Sequence, residues 1–305
     1  MVSGKSTGSA IAGERIIDLH GKGIGDVVVA CWLLHSARQA GESLQINPRG
    51  RKDVCRLFAL EPEEVTDRES ANWAKTDGLG HRCEYAAVEN GKPLSRFRSW
   101  AEALGMDDLV PVRPPYMETP EDGDWATTEW NKSSAPKQMR IAMFPETAWL
   151  IRQWPKAYFM DLAAALKARD TAVVMVGRHK KAVADMGSRW YAGFSIGQTA
   201  ALIKRADLVI GNDSGPAHIA GAIGTQTRVL GGPTDIDLVF AHDPNIRCLG
   251  IAPDTLTCHP CHYSRRRGYR EACKVGGCRA LMLLTPETVL DQLLREIGKY
   301  QAKSR

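Results

Sequence analysis

The chain has 305 residues, of which 44% are hydrophobic and 25% charged, and its formal net charge is +5. This composition is typical of a globular protein and excludes extended disorder. The longest apolar run, residues 27–34, is too short to cross a bilayer, and the first residues lack the apolar core of a signal peptide. We therefore expect a cytoplasmic protein with no membrane span. The mild positive charge permits an anionic partner without requiring one.

The first half opens with a strand, a glycine-rich loop and a helix. Residues 15–19 form the predicted strand, residues 20–26 the loop, and residues 27–40 an apolar helix that stops at Gly41. A short strand over 43–46 and a helix over 51–59 follow, and residues 61–93 carry no clear pattern. The loop has the size of a phosphate-binding loop. It does not fit the dinucleotide pattern G-x-G-x-x-G, because Asp26 stands in place of the last glycine.

The middle of the chain has the composition of a linker. Residues 111–137 are rich in Pro, Glu, Asp, Ser and Lys, with a helix predicted around 124–131. A chain of this length exceeds one ordinary core, so we expect two domains, residues 1–125 and residues 126–305.

Strands and helices alternate in the second half. Strands are predicted at 140–144, 172–176 and from residue 208, and helices at 157–169, 180–191 and 197–205. This alternation predicts a parallel sheet covered on both faces, and hence the α/β class.

The most informative segment is the strand-to-helix junction at residues 206–225. Leu208 begins the strand, Gly211 and Asn212 are predicted to break it, and Asp213 and Ser214 to cap the helix that follows. Unpaired amides and the positive end of the helix dipole favour a phosphate there. An ordinary strand-to-helix turn is the alternative. Two such domains facing each other across a cleft would suit a diphosphate-linked ligand.

Four cysteines form a compact group near the carboxyl end of the chain. Cys258, Cys261, Cys273 and Cys278 have spacings that suit tetrahedral zinc or an iron–sulfur cluster. Four thiolates leave no open position on a metal, so the metal would be structural. Within this loop, Tyr263 and Tyr269 interleave with four arginines at positions 265, 266, 267 and 270. That pattern can hold nucleic acid or a phosphorylated glycan, or can be a solvated loop.

Three sequence blocks resemble glycosyltransferase family 9, the lipopolysaccharide heptosyltransferases. They are GDVV at 25–28, FPE through RQWP at 144–155, and GNDSGPAH at 211–218 with GPTD at 232–235. The cysteine-bearing tail resembles some members of the family. The resemblance implies a GT-B architecture, with two facing Rossmann-like α/β domains and a cleft between them.

The same resemblance implies roles for two catalytic residues. Asp26 matches the catalytic aspartate of the family, which takes the proton of the acceptor hydroxyl in an inverting reaction. A helix cap is its alternative role, and the two roles can coexist. Arg152 matches a basic position that meets the departing diphosphate, so catalysis would need no metal cofactor.

The resemblance also implies a donor site in the second half. Ser214 and the amides from Gly215 onward, with Pro216 in the first helical turn, would hold the phosphates. Asp213 would contact sugar hydroxyls or fix the loop, and His218 would reach the phosphates or bond to backbone. More weakly supported donor residues are Gly177, Thr234 and Asp235.

The resemblance leaves the acceptor open, because the first domain is short and few of its residues match. The leading hypothesis is a heptosyltransferase-like inverting enzyme that transfers a sugar from a nucleotide donor to a glycan acceptor. One alternative is a glycosyltransferase acting on modified bases in DNA. The other is a non-catalytic nucleotide or nucleic-acid binding module on the same fold.

Overall fold

The computed structural model describes residues 15–19, 23–60, 64–66, 88–89, 92–93, 95–177, 189–252, 255–259 and 277–303. The strands are β1 (Ile16–Asp18), β2 (Gln45–Asn47), β3 (Val88–Glu89), β4 (Lys92–Pro93), β5 (Met139–Phe144), β6 (Thr171–Gly177), β7 (Arg189–Ala192), β8 (Leu208–Asn212), β9 (Thr227–Leu230) and β10 (Ile246–Leu249). The helices are α1 (Ile24–Gln39), α2 (Lys52–Arg56), α3 (Arg96–Ala103), α4 (Pro120–Ser133), α5 (Lys156–Lys167), α6 (Ile196–Lys204), α7 (Gly215–Ile223), α8 (Ile236–Val239), α9 (Arg279–Leu283) and α10 (Pro286–Lys303).

The second half is built on a six-stranded parallel sheet, as the alternating pattern predicts. Its strand order is β10-β9-β8-β5-β6-β7. The order reverses between β5 and β8, and in open α/β sheets such a switch point opens a crevice at the carboxyl ends of the strands. Both faces of the sheet are buried: Ile141 and Met143 pack with α5 on one side, while Ala142 and Phe144 pack with the core that includes α6 and α7.

The first half is organised around α1. Strands β1 and β2 pair in parallel, with Ile17 opposite Ile46. Helix α1 is buried from Val27 to Ala37 without a polar face, because α2 and α3 cover it on one side and α7 of the second half covers it on another. The two halves therefore share a continuous apolar core, and α1 places its amino end against the carboxyl edge of the large sheet.

Helix α4 is longer than the sequence pattern predicts and ties the two halves together. The Thr119 side chain caps it by accepting from the Asp122 amide at 3.2 Å. Trp130 is fully buried and its Nε1 donates to the carbonyl of Leu202 in α6 at 3.0 Å. The expected domain boundary between residues 125 and 126 falls inside this helix.

Two local predictions are wrong. The helix predicted over 180–191 does not extend to its carboxyl end, because residues 189–192 form β7, the edge strand paired in parallel with β6. The aromatic pair Trp190 and Tyr191 suits an extended backbone, and residues 180–188 lie outside the described part of the chain. Gly211 and Asn212 do not break β8 but belong to it. A glycine suits this place in the strand, because a Cβ on Gly211 would lie 3.1 Å from that of Phe144.

None of the described helices is both long and apolar enough to span a membrane.

Candidate active site

A cleft of about 950 Å³ lies between the amino end of α1 and the carboxyl edge of the large sheet. The first half contributes residues 23–26, Arg51, Asp53 and Arg96 to its wall. The second half contributes the segment after β5, the end of β6, the start of α7, and the residues Gly193, Phe194, Ile196 and Thr199. The two predicted catalytic residues, Asp26 and Arg152, and most of the predicted donor residues thus face one space.

Asp26 lies in the first turn of α1 on the wall of the cleft. Its Oδ2 accepts a hydrogen bond from the Gly23 amide at 2.9 Å, and its Oδ1 accepts one from Nη1 of Arg96. The carboxylate therefore caps the helix, and its side chain, 15% exposed, also lines the cleft. Because this cap bonds to Gly23, α1 begins at Ile24, three residues before the predicted start.

The amino end of α7 forms another part of the wall. Ser214 is the residue that precedes the helix, Gly215 and Pro216 form its first turn, and all three line the cleft. The Ser214 side chain makes no capping bond, and its buried Oγ has no hydrogen-bond partner among the described residues. A buried hydroxyl without a partner is costly, so this group is suited to a ligand oxygen.

Arg152 and Asp213 form an ion pair on the same wall, with Nη1 and Oδ2 separated by 3.0 Å. Burial alone would raise the pKa of the Asp213 carboxyl, but the charge of Arg152, with smaller contributions that include His218, lowers it below its usual value. The Arg152 guanidinium also lies 4.8 Å from the ring centre of Trp149.

Asn212 forms hydrogen bonds to both ends of the segment 145–154, which carries Arg152. Its Oδ1 accepts from the Trp154 amide and its Nδ2 donates to the Pro145 carbonyl, both at 2.9 Å. Trp154 is fully buried and packs in the core. This fixation holds Arg152 at the amino end of α7.

His218 lies one turn into α7 and reaches the first half. A Cβ added to Gly25 would lie 2.5 Å from Cδ2 of this histidine, so the glycine is what allows the close approach. Burial lowers the pKa of His218 to about 4, and the nearby charges of Arg96 and Arg152 act in the same direction. The imidazole is therefore neutral at physiological pH.

The sequence of the chain matches the model of a known protein family. The model of glycosyltransferase family 9 (heptosyltransferase) matches residues 114–267, which is half of the chain. The chain belongs to glycosyltransferase family 9. No curated protein sequence matches it significantly.

Solved structures place this family 9 member in the GT-B fold. It is similar to Escherichia coli ADP-heptose lipopolysaccharide heptosyltransferase II, with a TM-score of 0.65 and 16% identity over 94% of this chain and 100% of that one. A family 9 glycosyltransferase from Veillonella parvula gives a TM-score of 0.56 and 17% identity over 77% and 85% of the two chains. The iron-containing dodecameric glycosyltransferase TibC from enterotoxigenic E. coli gives 0.61 and 13% identity over 94% and 80%.

The predicted donor residues divide into two groups. The cleft is lined by Gly177, Asp213, Ser214, Gly215, Pro216 and His218. Thr234 and Asp235 are not among the residues that line it. Thr234 is 2% exposed, and its side chain contributes to lowering the pKa of Asp213. Asp235 caps α8 by accepting from the Leu238 amide at 3.0 Å. Their part in donor binding stays a prediction.

The metal prediction concerns residues that are only partly described. Cys258 is exposed and Cys278 is buried at the start of α9, whereas Cys261 and Cys273 lie outside the described residues. The arginine-rich stretch with Tyr263 and Tyr269 also lies outside them. Within the described ranges, no group of three or more His, Cys, Asp or Glu side chains is placed to hold a metal ion.

Sequence reasoning missed several side chains that line the cleft. Arg96, Trp149 and Phe194 all lie on its wall. Trp149 and Phe194 are 47% and 36% exposed, which is unusual for large aromatic groups. A helix signal for α3 exists in Ser95 at its start and Gly105 after its end. No local signal shows that Arg96 pairs with a residue 70 positions earlier.

Proposed function

We propose that this family 9 protein is an inverting glycosyltransferase that moves a sugar from a nucleotide-diphosphate donor to an acceptor hydroxyl without a catalytic metal. The observation that carries the proposal is that the Asp26 carboxylate and the amino end of α7 line the same cleft. Asp26 offers a base, and the start of α7 offers groups suited to a diphosphate.

The donor end of the cleft stabilises the leaving group. The amides at the start of α7 and the Ser214 hydroxyl are hydrogen-bond donors for phosphate oxygens, and the helix dipole has the right sign. Arg152 adds a permanent charge, and its planar guanidinium can donate two parallel hydrogen bonds to paired phosphate oxygens. These groups offset the charge that develops on the diphosphate as the glycosidic bond breaks. Asp213 and Gly177 would contact the sugar and the nucleoside.

The acceptor end supplies the base. As the acceptor oxygen attacks the anomeric carbon, its proton passes to the Asp26 carboxylate, and the diphosphate departs from the opposite face of the sugar. The anomeric carbon passes through an oxocarbenium-like state, and its configuration inverts. Because the similar enzymes from E. coli are described as ADP-heptose transferases, ADP-heptose is the first donor to test.

The test combines a donor screen with one variant. Thermal shift with ADP-, UDP-, GDP- and TDP-linked sugars identifies the donor, since a ligand that prefers the folded form raises the melting temperature. Nucleotide release is then measured for the wild type and for Asp26→Asn. We expect a loss of about 100- to 10,000-fold with unchanged nucleotide affinity. Asp161→Asn, on the exposed side of α5, is the control and should behave as the wild type.

The other functions weighed from the sequence are distinguishable outcomes. Normal turnover by Asp26→Asn would remove Asp26 as the base. Nucleotide binding without turnover across many acceptors would favour a non-catalytic binding module. Transfer to modified DNA, with binding that weakens as salt rises, would favour a DNA-modifying enzyme.

We also propose that Cys258, Cys261, Cys273 and Cys278 hold a structural metal. Zinc and an iron–sulfur cluster suit the spacing, and iron gains support from the iron-containing TibC. Metal analysis of the purified protein tests this proposal. The division at residues 125 and 126 and the cytoplasmic location stay predictions.

A further inference from the structure

Arg96 lines the cleft, and the proposed reaction has given it no role. It is the first residue of α3, and Ser95 caps that helix by accepting from the Arg98 amide at 3.2 Å. Phe97, Trp100 and Ala101 are buried in the core that α3 shares with α1. The backbone of Arg96 is thereby held against the helix that carries Asp26.

The Arg96 guanidinium and the Gly23 amide donate hydrogen bonds to different oxygens of the Asp26 carboxylate. Nη1 of Arg96 donates to Oδ1, and the Gly23 amide donates to Oδ2 at 2.9 Å. The two side chains are 17% and 15% exposed, so water competes weakly with this ion pair. Two donors on different oxygens fix the plane of the carboxylate, and each oxygen keeps a further lone pair for an incoming hydroxyl.

The same contact supplies charge. Arginine is permanently charged, so its contact with the Asp26 carboxylate is a charge-assisted hydrogen bond, which is stronger than a neutral one. The charge of Arg96 also lowers the pKa of Asp213 and of His218 in the second half.

We propose that Arg96 is a positioning residue that holds the Asp26 carboxylate in the orientation that meets the acceptor hydroxyl. This inference rests on the proposed function. Arg152 already provides a cation at the donor end, where it pairs with Asp213. Arg96 therefore acts through Asp26, and its loss should affect turnover and leave donor binding unchanged.

The experiment compares Arg96→Ala, Arg96→Lys and the matched control Arg98→Ala. Arg98 lies on the same helix and donates to the carbonyl of Asp107, and it does not line the cleft. With the nucleotide-sugar that gives the largest thermal shift, nucleotide release gives kcat and calorimetry gives the donor Kd. Each variant is also assayed with added guanidinium chloride or sodium chloride at equal low concentration.

We expect Arg96→Ala to lower kcat by about 10- to 100-fold, with a donor Kd within about twofold of the wild type. Arg96→Lys should retain part of the rate, and guanidinium but not sodium should restore part of it to Arg96→Ala. A purely structural role would show no rescue by guanidinium. If Arg96→Ala does not fold, Arg96→Gln keeps hydrogen-bond donors without the charge and takes its place.

Two results would overturn the inference alone. One is a wild-type rate in a folded variant that lacks the charge, and the other is a donor Kd that weakens in parallel with kcat, which would make Arg96 a donor-binding residue. A wild-type protein that binds nucleotide-sugars and never turns them over would instead overturn the proposed function, and the inference with it.

Discussion

At the scale of single residues, the cleft holds two ion pairs that face each other. Asp26 pairs with Arg96 on one wall, and Asp213 pairs with Arg152 on the other. Each carboxylate is mostly shielded from water, and each is compensated by a guanidinium, which avoids the cost of an unpaired buried charge. The guanidinium of each pair therefore offsets the charge of its carboxylate. In the proposed reaction, Arg152 would share its charge between Asp213 and the diphosphate.

Ser214 differs from these residues because it has no partner to lose. Replacing it with alanine should leave the free energy of unfolding nearly unchanged, since its Oγ makes no hydrogen bond to a described residue. Affinity for the nucleoside diphosphate should fall by about 10- to 100-fold, because a hydrogen bond to a charged group contributes about 1.5–3 kcal/mol. Calorimetry and urea unfolding measure the two quantities.

The matched control for Ser214 is Ser195, which caps α6. Its side chain accepts from the Gln198 amide at 3.0 Å. Ser195→Ala should cost about 0.5–2 kcal/mol of stability and leave nucleotide affinity unchanged. If Ser214→Ala binds the nucleotide as tightly as the wild type, its hydroxyl does not contact the phosphates.

At the scale of elements, the amino ends of α1 and α7 meet across the cleft. A Cβ on Gly215 would lie 2.8 Å from Cβ of Ile24, and one on Gly25 would lie 2.5 Å from the His218 ring. A glycine on each side thus allows two helix starts to approach closely. Both helix dipoles present their positive ends to the same space, which favours an anionic ligand there.

Gly25→Ala tests how tightly these helices are joined. The new methyl group would meet the buried His218 ring, so the ring or the helix must shift, at a cost of about 1–3 kcal/mol. Urea unfolding and nucleotide turnover should both report the change. Gly23→Ala is the control, because the nearest atom to its Cβ is Oδ2 of Asp26 at 3.7 Å. Equal stabilities for the two variants would contradict the packing described for α1 and α7.

The elements that the sequence predicts well are those with local signals. The second half alternates apolar strands with helices, and its parallel sheet follows from that pattern. The apolar pattern does not show where α1 begins, because the first turn of the helix depends on the hydrogen bond from the Gly23 amide to Asp26. The junction at 213–218 was recognised from Ser214 and Pro216, whereas Arg96 reaches the cleft only through the packing of α3 on α1.

At the scale of the whole molecule, two buried histidines lie where the halves meet. His242 follows α8 and packs between Trp32 and Phe97 of the first half, with ring centres 5.2 and 5.7 Å away. His218 lies against Gly25. Burial lowers the pKa of His242 to about 3, and the charges of His218 and Arg96 add to the effect. Both rings therefore stay neutral in the folded protein over most of the acidic range.

Stability should consequently fall as the pH drops below about 6.5. The unfolded chain protonates both histidines near that pH, whereas the folded chain resists protonation until about pH 4 for His218 and about pH 3 for His242. Since the unfolded state binds more protons in this window, each histidine lowers the free energy of unfolding by up to about 1.4 kcal/mol per pH unit. The pKa of His35, lowered by burial, acts in the same direction.

Urea unfolding at pH 7.5, 6.5 and 5.5 measures this slope for the wild type and for His242→Phe. Phenylalanine keeps a ring between Trp32 and Phe97, and the Nδ1 of His242 has no partner to lose among the described residues. The variant lacks the contribution of one histidine to this pH dependence. Its free energy of unfolding should therefore fall less steeply between pH 6.5 and 5.5. If both proteins show the same slope, His242 is protonated in the folded state over the same pH range. That result would contradict its burial between the two halves.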